Sequence, residues 1–193
     1  LNPIQHTKPV ARRNAFTAAL LALACVVAGK PASAQAPDRA APVHNVDGSF
    51  VREWLVLGPF PSREQETDFL ADVGGEANVR PKEGDTVLTK DGTQLVWTRL
   101  RSKHDVVDLE QVFGALQWSV FYAYCELSSN EPIETDARTG DWPDAAVWLN
   151  GKKLGRTPTR NRFDLPPAFP IRVEAGRNAC LFKLRFEFEQ PYA

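Results

Sequence analysis

The segment from Leu116 to Leu127, LQWSVFYAYCEL, constrains the fold of this chain more than any other. Its β-branched and aromatic residues are typical of a strand, in which successive side chains point to opposite faces of the sheet. One face carries Phe121, Ala123, Cys125 and Leu127, and the other carries Trp118, Val120, Tyr122 and Tyr124. Because both faces are apolar, this strand either is central in a sheet that is covered twice or lines a groove with its aromatic rings.

Short strands separated by turns are predicted along most of the remaining chain. Ala145–Leu149, Asn150-Gly151 and Lys152–Leu154 predict a hairpin, because the Asn-Gly pair favours a two-residue type I′ turn. Further strands are predicted over Phe50–Leu57, Gln94–Leu100, Pro170–Val173 and Cys180–Phe188, and the last two are predicted to form a closing pair. One short helix is predicted within Glu64–Val73. This pattern predicts an all-β fold, an antiparallel β-sandwich or barrel, over residues 49–190.

The closing strand alternates between two kinds of side chain. Cys180, Phe182, Leu184, Phe186 and Phe188 share one face, whereas Lys183, Arg185 and Glu187 share the other. This alternation predicts a half-buried antiparallel strand.

Residues 1–34 have the pattern of a secretory signal peptide. Basic residues precede the apolar run from Ala15 to Gly29, and Ala32-Ser33-Ala34 forms a cleavage site of the A-x-A kind. The alternative is lipoprotein processing at Cys25. Either route predicts export from the cytoplasm.

Residues 35–48 predict a flexible leader to the domain, since they are rich in Ala, Pro and Asp and show no periodicity. No later stretch reaches the roughly 20 apolar residues that a spanning helix needs, so no membrane span is predicted in the mature chain. The balance of charge argues against nucleic acid as a partner. With 23 Lys and Arg against 24 Asp and Glu, a net charge of -1, the chain offers no basic field for phosphate backbones.

Four short motifs resemble those of a bacterial galactose-binding-like jelly-roll domain. They are Trp54–Phe60 (WLVLGPF), Gly74-Gly75-Glu76 with Arg80-Pro81, Val147–Lys152 (VWLNGK) and Ala175–Asn178 (AGRN). Such domains are similar to the sugar-binding domains of family 2 glycoside hydrolases, and the likeness covers about residues 50–189. The resemblance implies a jelly-roll sandwich that is secreted, periplasmic or at the surface of a bacterial cell and binds carbohydrate.

Carbohydrate binding needs flat apolar rings for the C–H faces of a sugar and polar side chains for its hydroxyls. Trp118, Tyr122 and Tyr124 share one predicted strand face, where they either pave a groove or form inner core. Trp142, in a polar loop, is either an exposed recognition anchor or a lid on the core.

Three polar residues complete the set of candidates. Arg160 and Arg162 form a polar loop tip that either binds a sugar or carboxylate through forked hydrogen bonds or is simply solvated. Glu76 is the acid that we would test first. Its alternative role is to accept backbone N–H bonds from its own turn.

Motifs for zinc binding or nucleophilic catalysis are missing from the sequence, which contains no His-Glu-x-x-His, Cys-x-x-Cys or Gly-x-Ser-x-Gly. We therefore nominate no catalytic residue, no metal ligand and no cofactor, and only calcium stays open, because jelly-roll modules of this kind often hold one. Cys125 and Cys180 lie in predicted strands and are either a disulfide or two buried thiols.

These observations favour a secreted, non-catalytic carbohydrate-binding β-sandwich module whose partner is a glycan. Two alternatives stay open. One is a structural or protein-interaction module of the bacterial envelope, with an envelope protein as partner and all aromatics in the core. The other is a small glycan-processing enzyme that uses loop acids such as Glu76.

Overall fold

The described part of the chain folds into β-strands that are mostly antiparallel, with almost no helix. The computed structural model describes residues 39–61, 66–105, 107–114, 118–138, 144–156 and 168–186. The strands in these ranges are β1 (Val43–Asn45), β2 (Glu53–Pro61), β3 (Thr86–Leu88), β4 (Gln94–Val96), β5 (Thr98–Arg101), β6 (Ser119–Ser129), β7 (Ile133–Arg138), β8 (Asp144–Leu149), β9 (Lys152–Arg156), β10 (Ala168–Val173) and β11 (Gly176–Phe186). A short helix, α1 (Leu109–Phe113), and a 3-10 turn at Ala71–Val73 accompany them.

A seven-stranded sheet is the largest element of the described structure. Six of its strands run in the order β5-β2-β6-β11-β8-β9, each antiparallel to its neighbours. β1 pairs in parallel with Glu126–Ser128, the end of β6 that β2 does not reach. Two smaller sheets each contain two strands, β7 with β10 and β3 with β4.

β6 is a central strand that is covered on both faces, which confirms one of the two alternatives that its sequence allowed. Its residues from Ser119 to Cys125 are all buried. One core cluster contains Phe121, Ala123, Cys125 and Leu127, and a second cluster contains Val120, Tyr122 and Tyr124. Strand alternation accounts for this division, because successive side chains enter opposite faces of the sheet.

The first face of the sheet is covered by the β7–β10 pair. Phe169, Ile171 and Val173 of β10 alternate with exposed residues and join the cluster that contains Phe121. Leu109 of α1 joins the same cluster. Two β-layers that enclose an apolar interior are consistent with a β-sandwich.

The second face is covered by the chain between residues 66 and 97, here called the 66–97 connection, which includes the β3–β4 hairpin. Leu70, Val79, Val87 and Trp97 pack in the cluster that contains Tyr122. Trp97 divides the strand predicted over 94–100 into β4 and β5. Its backbone pairs with Gly84 and Asp85 while its side chain is 1% exposed in the core.

The hairpin predicted around Asn150-Gly151 is confirmed. The two turn residues have φ angles of 50° and 83°, and a type I′ turn needs positive values at both. Asn150 also accepts a hydrogen bond from the Ala179 N–H at 2.9 Å and donates one to Asn178 Oδ1 at 2.8 Å. Asn178, 1% exposed, donates to the Glu174 carbonyl at 2.8 Å. Two of the motifs that carried the family resemblance therefore join the β8–β9 hairpin to β11.

The prediction of a closing pair is corrected. The pair does not form, because β10 pairs with β7 and β11 lies between β6 and β8. The chain changes sheets at Glu174 and Ala175, so two consecutive strands belong to different layers. Within the segment predicted as a leader, residues 43–45 form β1, which pairs with β6.

The helical content of the described residues is small. The helix predicted within Glu64–Val73 is reduced to the 3-10 turn at Ala71–Val73, with residues 64 and 65 outside the described residues. No helix in the described part of the chain has the length and apolar character to span a membrane.

Candidate functional site

A polar pocket opens on the second face of the main sheet, where the 66–97 connection covers strands β11, β8 and β9 only in part. Register places its floor in three cross-strand rows. The rows are Trp148–Lys153, then Tyr122–Lys183–Ala146–Arg156, then Val120–Arg185–Asp144. The side chains that line the pocket include Glu66, Glu76, Asp144, Lys153, Arg156, Lys183 and Arg185. Carboxylates and cations therefore line the same pocket.

Glu76 and Lys183 line one side of this pocket, and Glu76 is also bonded to the buried Tyr122. Glu76 Oε1 accepts hydrogen bonds from Lys183 Nζ and from the Tyr122 hydroxyl, both at 2.7 Å. Lys183 Nζ also donates to the Thr67 carbonyl at 2.5 Å and lies 5.5 Å from the centre of the Phe69 ring. The side chains of Lys183 and Glu76 are 6% and 13% exposed. Such an ion pair is tolerated at this depth because hydrogen bonds and an aromatic face surround the ammonium.

Tyr122 titrates far from its ordinary range in this setting. Burial of the phenol is the largest cause, and the neighbouring Glu76 carboxylate adds to it, so that the pKa of Tyr122 is strongly raised. The phenol therefore stays a hydrogen-bond donor to Glu76 at every physiological pH.

The backbone around Glu76 is held by the connection that carries it. Asp68 accepts hydrogen bonds from the Leu70 N–H at 2.9 Å and the Glu76 N–H at 3.1 Å. Gly151, in the β8–β9 turn, lies against the next residue, since a Cβ there would come within 2.6 Å of the Ala77 carbonyl oxygen. The hairpin predicted from sequence thus supports the loop that delivers Glu76 to the pocket.

A second ion pair forms the opposite side of the pocket. Asp144, whose side chain is 5% exposed, accepts from Arg156 Nε at 2.9 and 3.1 Å and also from Arg156 Nη2. Arg156 Nη1 donates to Glu66 at 3.2 Å. The hydrogen bonds to Asp144 are the largest cause of a raised pKa of Arg156, whereas burial lowers the pKa of the neighbouring Arg185.

Trp148 supplies the aromatic surface of the pocket. Lys153 Nζ lies 5.3 Å from the centre of its ring, and the Lys153 side chain is 47% exposed. The pocket is small, about 50 Å³. A pocket of this volume has room for a group of a few polar atoms but not for a whole sugar ring.

The predicted site residues meet different outcomes. Glu76 lines the pocket and accepts a hydrogen bond from the buried Tyr122, although Glu76 binds side chains and not the backbone of its own turn, a role that Asp68 takes. The groove of Tyr122 and Tyr124 is corrected, because these side chains are 0% and 1% exposed beneath the 66–97 connection. Trp118 precedes β6 with φ of 54°, so strand alternation does not place it beside them. Trp142, Arg160 and Arg162 lie outside the described residues.

Sequence reasoning missed six of the pocket's charged residues, Glu66, Asp144, Lys153, Arg156, Lys183 and Arg185. Lys183 and Arg185 stand on the polar face of β11, which the alternation of β11 describes correctly but does not distinguish from a solvated face. Asp144 and Arg156 are distant from Lys183 and Arg185 in sequence, and they come close to them only because β11 pairs with β8 and β8 pairs with β9. The sequence feature that could have indicated the pocket is the pair Lys183 and Arg185, which lie two residues apart on one face of β11, a strand in the interior of the sheet.

A second depression lies within the 66–97 connection, beside its β3–β4 hairpin. It has a volume of about 410 Å³ and is lined by Val79, Arg80, Pro81, Val87 and Trp97 among others. Its charged lining is limited to Arg80 and Asp85, whereas seven charged side chains line the polar pocket. Within the described residues no group of three or more His, Cys, Asp or Glu side chains converges to hold a metal ion.

Cys125 and Cys180 are free thiols in the structure, and both are buried. They occupy directly opposed positions on β6 and β11.

Comparison with known proteins finds no relative: no family model, no curated protein and no solved structure matches this chain. The chemistry of the polar pocket is therefore inferred from its own geometry.

Proposed function

We propose that the protein is an exported, non-catalytic carbohydrate-binding module of the galactose-binding-like jelly-roll type, and that the polar pocket receives the hydroxyl groups of a glycan. The observation that carries the proposal is the mixed lining of the pocket. Glu66, Glu76 and Asp144 offer acceptors beside the donors of Lys153, Arg156 and Lys183.

A mixed lining suits a sugar because each hydroxyl is both a donor and an acceptor. A pocket for a simple anion would present donors alone, and a cation site would present a cluster of oxygens. The size of about 50 Å³ adds to this argument, since it fits one edge of a saccharide with the remaining ring outside.

Binding is proposed in preference to cleavage. Glu76 and Asp144 line the same pocket, as two carboxylates of a glycosidase would. Each of them, however, is paired with a cation of the chain, Lys183 or Arg156. Neither has the apolar surroundings that make a carboxyl group a general acid.

The second candidate is a structural or interaction module of the bacterial envelope. It is favoured by the complete burial of Tyr122 and Tyr124, which removes the aromatic platform from the carbohydrate hypothesis. Under this alternative the ion pairs of the pocket hold the 66–97 connection on the sheet and bind no ligand.

A glycan array probed with the purified protein separates the two candidates. Hits are then titrated by tryptophan fluorescence, because Trp148 lines the pocket and reports occupancy. Saturable binding with a change in fluorescence supports the carbohydrate-binding module. A blank array, from protein whose circular dichroism shows a folded β-structure, contradicts it and favours the interaction module.

A further inference from the structure

Cys125 and Cys180 have the backbone geometry of a disulfide. They are direct partners in the antiparallel register of β6 and β11. Opposed residues of an antiparallel pair have Cα atoms about 4.5–5.5 Å apart, which lies within the range of about 4.4–6.8 Å that disulfides span.

The two side chains also enter the same face of the sheet. Both belong to the core cluster that contains Phe121 and Phe182, with exposures of 0% and 2%. Burial is the largest cause of a raised pKa of the Cys125 thiol, and an interaction with the Cys180 side chain adds to it. The two side chains stand at directly opposed positions and share one core cluster.

We propose that Cys125 and Cys180 form a cross-strand disulfide bond when the chain folds in an oxidising compartment. The bond joins the two central strands of the sheet, and 54 residues separate its ends. This inference concerns the framework of the fold and does not depend on the ligand of the pocket.

The oxidant is an external disulfide, that of oxidised glutathione or of a thiol–disulfide oxidoreductase. One cysteine thiolate attacks that disulfide and forms a mixed disulfide, and the second thiolate then displaces the oxidant's thiol. Two protons and two electrons leave the cysteines, and the oxidant is reduced to two thiols. Because the folded core excludes the oxidant, the bond closes before β6 and β11 are sealed.

The test refolds the full chain, reduced and denatured, in equimolar oxidised and reduced glutathione. Remaining thiols are blocked with N-ethylmaleimide in denaturant, and peptides are mapped by mass spectrometry without reduction. We expect one linked peptide pair containing Cys125 and Cys180, two hydrogens lighter than the separate peptides, in nearly all molecules. Cys25 is expected to carry N-ethylmaleimide or glutathione.

A control sample oxidised in denaturant is expected to contain mixed pairings that include Cys25, because no register then selects a partner. Refolded protein in which Cys125 and Cys180 both carry N-ethylmaleimide or glutathione would overturn the proposal. Pairing of either residue with Cys25 in the refolded protein would overturn it as well.

Discussion

The hydroxyl groups of Tyr122 and Tyr124 should affect stability with opposite signs, although the two residues share one face of β6. The Tyr122 hydroxyl donates to Glu76 Oε1 at 2.7 Å and accepts from the Phe69 N–H at 3.3 Å. The Tyr124 hydroxyl is buried and has no hydrogen-bond partner among the described residues. Tyr→Phe substitution removes one oxygen at each position and changes little else.

The magnitudes follow from these contacts. Tyr122→Phe loses a hydrogen bond to a charged group, which costs about 1.5–3 kcal/mol of the free energy of unfolding. Tyr124→Phe removes a buried hydroxyl that has lost its hydrogen bonds to water and has gained none in the fold, so the free energy of unfolding of the variant should be about 1 kcal/mol higher. The two variants should therefore differ by about 3 kcal/mol, a large part of the total stability of a domain of this size.

Urea titrations followed by circular dichroism measure both effects. We expect the midpoint of Tyr122→Phe below that of the parent protein and the midpoint of Tyr124→Phe above it, with equal slopes. A loss of stability in both variants by similar amounts would refute the reasoning, since it would mean that the two hydroxyls have equivalent surroundings.

Three further outcomes are expected. Gly151→Ala should lower the free energy of unfolding by about 2 kcal/mol more than Gly176→Ala in urea titrations; both glycines have positive φ, but only a Cβ at Gly151 meets a neighbour, the Ala77 carbonyl. Equal losses would remove the hairpin's role in supporting the loop. Burial raises the pKa of Tyr124 from 10.0 to about 12, so the phenol ionises more readily in the unfolded chain, and the free energy of unfolding should be constant below pH 10 and fall as the pH rises towards 12; urea midpoints should fall over this range and fall less in Tyr124→Phe. Asn178→Ala should cost about 2 kcal/mol in the same assay, because it removes hydrogen bonds to the partly buried N–H and carbonyl groups of Glu174.

The parts of the fold that sequence predicts are those that local pattern determines. The apolar residues on both faces of β6 limit it to a covered central strand or an aromatic groove, and the Asn150-Gly151 pair favours a tight turn. Both predictions depend on neighbouring residues alone, and the structure shows the covered strand and the turn.

The parts that sequence does not predict depend on pairing between distant segments. The residues of β10 alone do not show that it pairs with β7, in a separate two-stranded sheet, and not with β11, which follows it directly in sequence. The same limit applies to the pocket. Lys183 meets Glu76 across 107 residues, and alternation along β11 identifies its polar face without showing that the 66–97 connection partly covers it.

The most direct test of the central claim compares two neighbouring lysines of β9 in the binding assay. Both lysines are exposed, but Lys153 lines the pocket beside Trp148, whereas Lys152, the preceding residue of the strand, points to the opposite face. Against the glycan that gives the strongest array signal, Lys153→Gln should raise the Kd by about five- to tenfold, the effect of roughly 1 to 1.4 kcal/mol, and Lys152→Gln by less than about twofold. Equal Kd values for the two variants would contradict the assignment of the pocket as the glycan-binding site.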